Sequence, residues 1–234
     1  MFGGKMKAVT FSYDDGITQD RRLIKILNRY GLRGTFNLNS GLLGTPNALW
    51  REGQTVSHVK PRREEVAEMY AGHEIAAHTL THPLLTKLSE EEIIRQVEED
   101  RLALSEIAGY EVVGMAYPCG GVNFDERVAD VIRRNTKIRY ARTIQSCDSF
   151  APQTDLYTFR PTVHHTCGWE KMYDMARAFT EMKADTPQIF YIWGHSFEFD
   201  MDDSWDAFEE FCCRIAGRDD IFYGTNRQVL LGEA

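Results

Sequence analysis

Short apolar runs rich in aromatic and β-branched residues alternate along this chain with longer stretches whose apolar positions recur every three to four residues. The short runs, at 8–13, 34–38, 74–77, 112–117, 138–141, 157–160, 188–193 and 221–224, read as strands. The longer stretches read as helices over 20–30, 62–70, 125–134, 169–183 and 205–216. One more helix opens at Ser89, whose capping box with Glu92 precedes Ile93, Ile94, Val97 and Leu104, and Gly109 closes it. Stretches 39–60 and 143–156 show no clear period and are expected to be long strand-to-helix loops, which commonly shape a substrate groove.

Regular alternation of the two patterns predicts a mainly parallel α/β sheet, and a count of seven or eight strands predicts a closed or nearly closed barrel. No Pro/Ser-rich linker or change of composition divides the 234 residues, so residues 1–234 are expected to form one domain. At 43% apolar and 26% charged the composition is that of an ordinary globular protein. A formal charge of −8 without any basic, aromatic-interleaved run argues against a nucleic-acid partner. No apolar run is long enough for a membrane span. The start, Met1 to Lys7, enters a strand at once without the apolar region of a secretion signal, so the expected compartment is the cytoplasm. Five cysteines, an odd number with Cys212 and Cys213 adjacent, are expected to be reduced thiols.

The chemistry-bearing residues fall where strands run out. Asp14 and Asp15 precede Gly16 after the first strand, and adjacent carboxylates at a strand end point in different directions. Asp15 is assigned to a metal and Asp14 to a catalytic base; a plain strand-terminating Asp-Asp-Gly turn is the blander alternative. His78 and His82, at i and i+4, would share one side of a helical turn, although Pro83 biases His82 toward a bent loop. Two imidazoles and one carboxylate leave coordination positions open for water and substrate, as a hydrolytic metal needs. His195 follows the apolar strand 188–193, where an imidazole can protonate a departing amine or alkoxide near neutral pH.

Tyr117-Pro118-Cys119-Gly120 ends another strand in a bend able to turn backbone N–H groups toward an oxyanion. Cys119 has no activating neighbour in the sequence, so it is not read as a nucleophile. His73 is expected at the surface by a helix end. The His164-His165 pair, in a loop-like stretch near Cys167, lacks the spacing of a second metal site, and a rim or substrate-contact role is expected.

Ser12-Tyr13-Asp14-Asp15-Gly16, His78-Thr79-Leu80-Thr81-His82, Tyr117-Pro118-Cys119-Gly120 and Trp193-Gly194-His195 resemble, in order and spacing, the successive motifs of the polysaccharide deacetylases, carbohydrate esterase family 4 with the NodB-homology domain. The resemblance implies a distorted β/α barrel that removes acetyl groups from N-acetylated or O-acetylated sugars or oligosaccharides with Zn²⁺, or Co²⁺ or another divalent ion. By position it implies Asp14 as base, Asp15, His78 and His82 as metal ligands, His195 as general acid, and a backbone N–H near Cys119 in the oxyanion site. The arginine that the family places two residues before the motif's proline is Ala116 here. Arg142 or Arg160, each at the end of a predicted strand, could take its place beside the base. The family's Asp-rich fourth motif has no clean counterpart, and Asp148, Asp155 and Glu198 are the nearest substitutes. Two competing readings are a hydrolase of a small cyclic amide or imide, of the allantoinase kind, and a non-catalytic carbohydrate-binding relative.

Overall fold

The computed structural model describes residues 2–51 and 53–233. Its strands are β1 (Lys7–Asp14), β2 (Gly34–Leu38), β3 (Ala48–Arg51), β4 (Gln54–Ser57), β5 (Glu74–Ala77), β6 (Gly114–Ala116), β7 (Tyr140–Arg142), β8 (Val163–His164), β9 (Gln188–Gly194) and β10 (Ile221–Tyr223). Its helices are α1 (Asp20–Arg29), α2 (Arg63–Met69), α3 (Glu90–Ala108), α4 (Glu126–Asn135), α5 (Trp169–Glu181), α6 (Phe197–Met201), α7 (Trp205–Ile215) and α8 (Asn226–Leu231). Seven strands run in the order β7-β6-β5-β2-β1-β9-β8, and β10 pairs with the start of β1 on the edge that β2 occupies further along. Every pairing in this sheet is parallel, as the alternation of strand and helix requires. The fold is therefore a single α/β domain with a curled, mainly parallel sheet.

β1 is buried along its whole length, and its two faces differ. Val9, Phe11 and Tyr13 belong to the main core under the helices, where Phe11 meets Phe208 and Phe211 edge to face. The alternate residues Thr10 and Ser12 face small and polar neighbours: Thr10 donates to Asn226 Oδ1 at 2.8 Å, and Ser12 accepts from Asn37 Nδ2 at 2.9 Å. The period of two thus carries Asp14 out on this polar face, at the carboxyl end of the strand.

The two sheet edges are joined by a crossing segment rather than by a strand ladder. Phe159 N–H donates to the Ala141 carbonyl and Thr143 N–H to the Phe159 carbonyl, while Thr162 N–H donates to Tyr191 of β9. The strand expected at 157–160 is consequently not formed. Asp155 accepts from Tyr157 N–H at 2.9 Å and Thr158 Oγ1 at 2.9 Å, winding Leu156–Thr158 into a 3₁₀ turn, and the edge strand falls instead at β8, in a stretch whose sequence is loop-like. The expected loop 39–60 contains the antiparallel hairpin β3–β4. Short α6 and α8 were also not anticipated, and β6 is shorter than its apolar run.

Candidate active site

The carboxyl ends of β1, β2, β5, β6, β7 and β9 open on one pocket of about 610 Å³. Asp14 is the last residue of β1, and the chain then turns through two left-handed residues, Asp15 at φ 79° and Gly16 at φ 56°. A Cβ on Gly16 would lie 2.6 Å from Leu38 Cγ, so only glycine fits this turn. The turn sends the two carboxylates to different partners.

Asp14 is bound by a guanidinium: Arg142 Nη2 donates to its Oδ1 at 2.6 Å, and Asn37 Nδ2 donates to the same oxygen at 2.8 Å. Burial pushes the Asp14 carboxyl up, but the Arg142 charge and hydrogen bond outweigh burial and hold it below its ordinary value. Arg142 is fully buried, and its guanidinium lies 4.3 Å over the Trp193 ring. The parallel register sets Arg142 directly beside Ala116. The arginine absent from position 116 therefore has a counterpart one strand over. Arg160 does not reach the pocket; it is exposed and donates to the Ser146 carbonyl at 3.0 Å.

Asp15 faces imidazoles. His82 Nε2 is 3.5 Å and His78 Nε2 3.9 Å from its Oδ1, and the three ligand atoms lie within 4.8 Å of one another. The two histidines are not on a helix: they sit on a loop after β5, bent at Thr79 (φ 68°) and His82 (φ 61°). His78 Nδ1 is 2.9 Å from the Ala116 carbonyl, which can only accept, so Nδ1 carries the proton and Nε2 presents a lone pair. Burial pushes the His78 imidazole down to about 4 and lowers His82 as well, which favours the neutral rings that can ligate a metal. A carboxylate and two imidazoles converging in this way could hold a divalent metal ion.

Several site residues lay outside the sequence reading. From the supposed loop, His58 Nε2 stands 3.0 Å from Asp15 Oδ2, and Lys60 Nζ bonds the Asp15 carbonyl. Burial pushes Asp15 up, yet His58 and Lys60 reverse this and hold it well below the usual carboxylate range. Asn39 Nδ2 donates to the carbonyls of His78 at 2.6 Å and Thr79 at 2.9 Å. Asp100 of α3 accepts from His78 N–H at 3.0 Å and Ser40 N–H at 2.7 Å. Its signal was present, since Asp100 occupies a core position in the apolar stripe of Ile93, Val97 and Leu104.

Tyr117, Cys119 and Gly120 line the pocket, whereas Pro118 is buried behind it. The Tyr117 hydroxyl points away, donating to the Tyr157 carbonyl at 2.8 Å. Asn123 holds the bend by donating to the carbonyls of Tyr117 at 3.2 Å and Cys119 at 3.0 Å. Cys119 Sγ lies 3.7 Å from His82 Nδ1, and burial pushes its thiol up, away from nucleophilic character. His73 is buried rather than at the surface, its Nδ1 accepting from Gly34 N–H at 3.1 Å.

His195 stands just past β9 and lines the same pocket. Its Nδ1 is 3.3 Å from Glu198 Oε2, and the nearby Glu198 carboxylate overcomes burial to raise the imidazole to about 9. Asp148 and Asp155 are elsewhere, paired with Lys171 and Arg133.

A curled parallel sheet whose strand ends gather two carboxylates, three histidines and a buried arginine defines a barrel-like α/β protein with an Asp-His-His group able to hold a metal. The family model for polysaccharide deacetylase matches residues 3–138, more than half of the chain, and the chain belongs to that family. It is 27% identical over 129 residues to the peptidoglycan-N-acetylglucosamine deacetylase PgdA of Listeria monocytogenes, a match covering 54% of this chain and 24% of that protein. It is 36% identical over 56 residues to the peptidoglycan-N-acetylmuramic acid deacetylase PdaC of Bacillus subtilis, covering 24% of this chain and 12% of that one. The matched region thus spans about a quarter or less of these curated relatives. Among solved structures, the family 4 carbohydrate esterase of Streptomyces lividans in complex with acetate shares the fold at a TM-score of 0.57 and 15% identity, over 94% of this chain and 92% of that one. The Xyl-CE4 domain of a multidomain xylanase from a Trinervitermes trinervoides hindgut metagenome does so at 0.60 and 17%, over 97% and 90%.

Proposed function

We propose that the chain is a metal-dependent hydrolase that removes acetyl groups from N-acetylated or O-acetylated sugars or oligosaccharides. The observation that carries this reading is the division of labour in the Asp14–Asp15 pair: one carboxylate is tied to a guanidinium, the other faces two imidazoles, and His195 lines the same pocket. Asp15, His78 and His82 would hold the ion, Zn²⁺ or Co²⁺ or another divalent cation. Bound there, it would polarise the acetyl carbonyl and acidify water. Asp14, kept ionised by Arg142, takes the proton of the attacking water as its oxygen bonds to the carbonyl carbon. Backbone N–H groups at the Cys119 bend, which lines the pocket, would donate to the oxygen on which charge develops. His195, protonated, then delivers its proton to the sugar nitrogen or oxygen as the carbon–heteroatom bond breaks, giving acetate and a free amine or hydroxyl.

The non-catalytic reading rested on the missing arginine and the degenerate fourth motif. Arg142 beside Asp14 and Glu198 beside His195 remove both reasons. The test is acetate release from N-acetylglucosamine oligomers of increasing length, using metal-stripped protein with and without Zn²⁺ or Co²⁺. Acetate that appears only with metal is the expected result; bound metal without acetate would overturn the proposal.

A further inference from the structure

Beside the pocket, one carboxylate oxygen gathers three imidazoles. Glu198 Oε2 lies 3.1 Å from His165 Nε2, 3.3 Å from His195 Nδ1 and 3.6 Å from His164 Nε2, and it accepts the His195 backbone N–H at 2.8 Å. All three ring nitrogens stand at ion-pair distance from this oxygen, and His165 Nε2 and His195 Nδ1 have no other hydrogen-bond partner. His164 Nδ1 accepts from Thr166 N–H at 3.2 Å, so in the neutral ring the proton sits on Nε2, facing Glu198. His165 Nδ1 is 3.2 Å from the Tyr13 hydroxyl, which can donate to it and leave Nε2 as the N–H that faces Glu198. The His165 ring is fixed: it is buried and stacks on Phe199 at 4.3 Å and on Tyr13 at 5.6 Å. A Cβ on Gly194 would come within 2.3 Å of His165 Nδ1, so the glycine before His195 is needed to admit this ring.

We propose that His165 and His164 are positioning residues for His195, acting through Glu198: they clamp its carboxylate so that it holds the Nδ1 proton of His195 and turns Nε2–H to the pocket. The inference rests on the reading of His195 as the general acid, and it assigns a function to a histidine pair that the reaction itself does not use. The other ionisable groups around His195 are Asp14 at the end of β1 and Asp15 in the turn after it, which favour its charged form, and His82 across the pocket; Arg142 bears on His164.

Ring ¹⁵N NMR of His195 in the full chain, assigned by difference with His195→Gln, reads this without requiring turnover. In Glu198→Gln the His195 titration should fall by roughly two pH units, and the alkaline limb of kcat/KM should fall with it. His165→Leu should lower kcat with KM little changed, and His165→Gln, which keeps a donor toward Glu198, should restore most of it. Metal stoichiometry should stay the same in all three variants. An unchanged His195 titration in folded Glu198→Gln would overturn the proposal. So would a second equivalent of bound Zn²⁺ in the parent protein that is lost in Glu198→Gln, which would make the cluster a metal site. A shifted titration in a protein that releases no acetate would leave the clamp standing and defeat the deacetylase reading instead.

Discussion

Asp14 and Arg142 make the sharpest residue-level claim. Replacing Asp14 with Asn keeps the shape and removes the base, so turnover should fall by about 10²–10⁴ while metal binding persists, checked by steady-state kinetics beside metal analysis. Arg142→Ala leaves a buried carboxylate without its countercharge, which typically costs about 3–5 kcal/mol, so urea unfolding should show a large loss of stability along with lost activity. Arg160→Ala, at an exposed position, should change neither. Equal effects from the two alanine variants would refute the assignment of Arg142. His195 supplies a pH dependence. Its imidazole is raised from 6.5 to about 9, so its charged, proton-donating form persists well above neutrality and is lost as pH passes through about 9. Activity should therefore decline on an alkaline limb near that value. For the same reason its contribution to folding stability is fully present below about 6.5 and disappears as pH rises through about 9.

At the scale of elements, two pieces distant in sequence support the Asp15 cluster. The segment around the β3–β4 hairpin brings His58 to Asp15 Oδ2, and partners of this kind, which orient a ligand, commonly affect metal affinity by about 10–100-fold. His58→Ala should weaken Zn²⁺ binding by that order in a calorimetric titration with the fold intact; unchanged affinity would reduce His58 to a wall of the pocket. Helix α3 does comparable work from the other side. Asp100→Ala would remove the acceptor that holds Ser40 N–H and one of the two acceptors of His78 N–H, which also donates to the Leu38 carbonyl at 2.8 Å, at a cost of about 1–3 kcal/mol. It should lower both the melting temperature and the metal affinity, because the loop that carries His78 loses its anchor.

Across the whole molecule, the three residues assigned to the metal come from two separate parts of the chain, the end of β1 and the loop after β5, so an ion bound there ties them together in the folded state alone. Metal at a thousand times its dissociation constant should add about 4 kcal/mol to stability. Thermal unfolding of stripped and reloaded protein should show a higher melting temperature with metal, and the Asp15→Ala variant should show none of that gain. Among the described residues no helix is long and apolar enough to cross a membrane.

The sequence by itself determined the parallel α/β architecture, because strand and helix periods are local consequences of which side chains must be buried. It also placed Asp14, Asp15, His78, His82 and His195 at strand ends, and the structure opens those ends on one rim. Tertiary structure alone decided what stands beside each of them. Arg142 reaches Asp14 because parallel register sets β7 against β6, and nothing in the linear spacing encodes that neighbour. His58 and Lys60 arrive from a hairpin whose β3 and β4 have little apolar alternation to announce them, being mostly exposed. The strand expected at 157–160 was lost to a side-chain-capped turn at Asp155, where a local hydrogen bond outcompeted strand propensity. The histidine pair at 164–165 has no motif of its own; its meaning depends on Glu198, more than thirty residues along the chain, folding back to within 3.1 Å. Backbone periodicity is encoded residue by residue, whereas the partner of a buried charge is chosen by packing, and packing exists only once the chain has closed on itself.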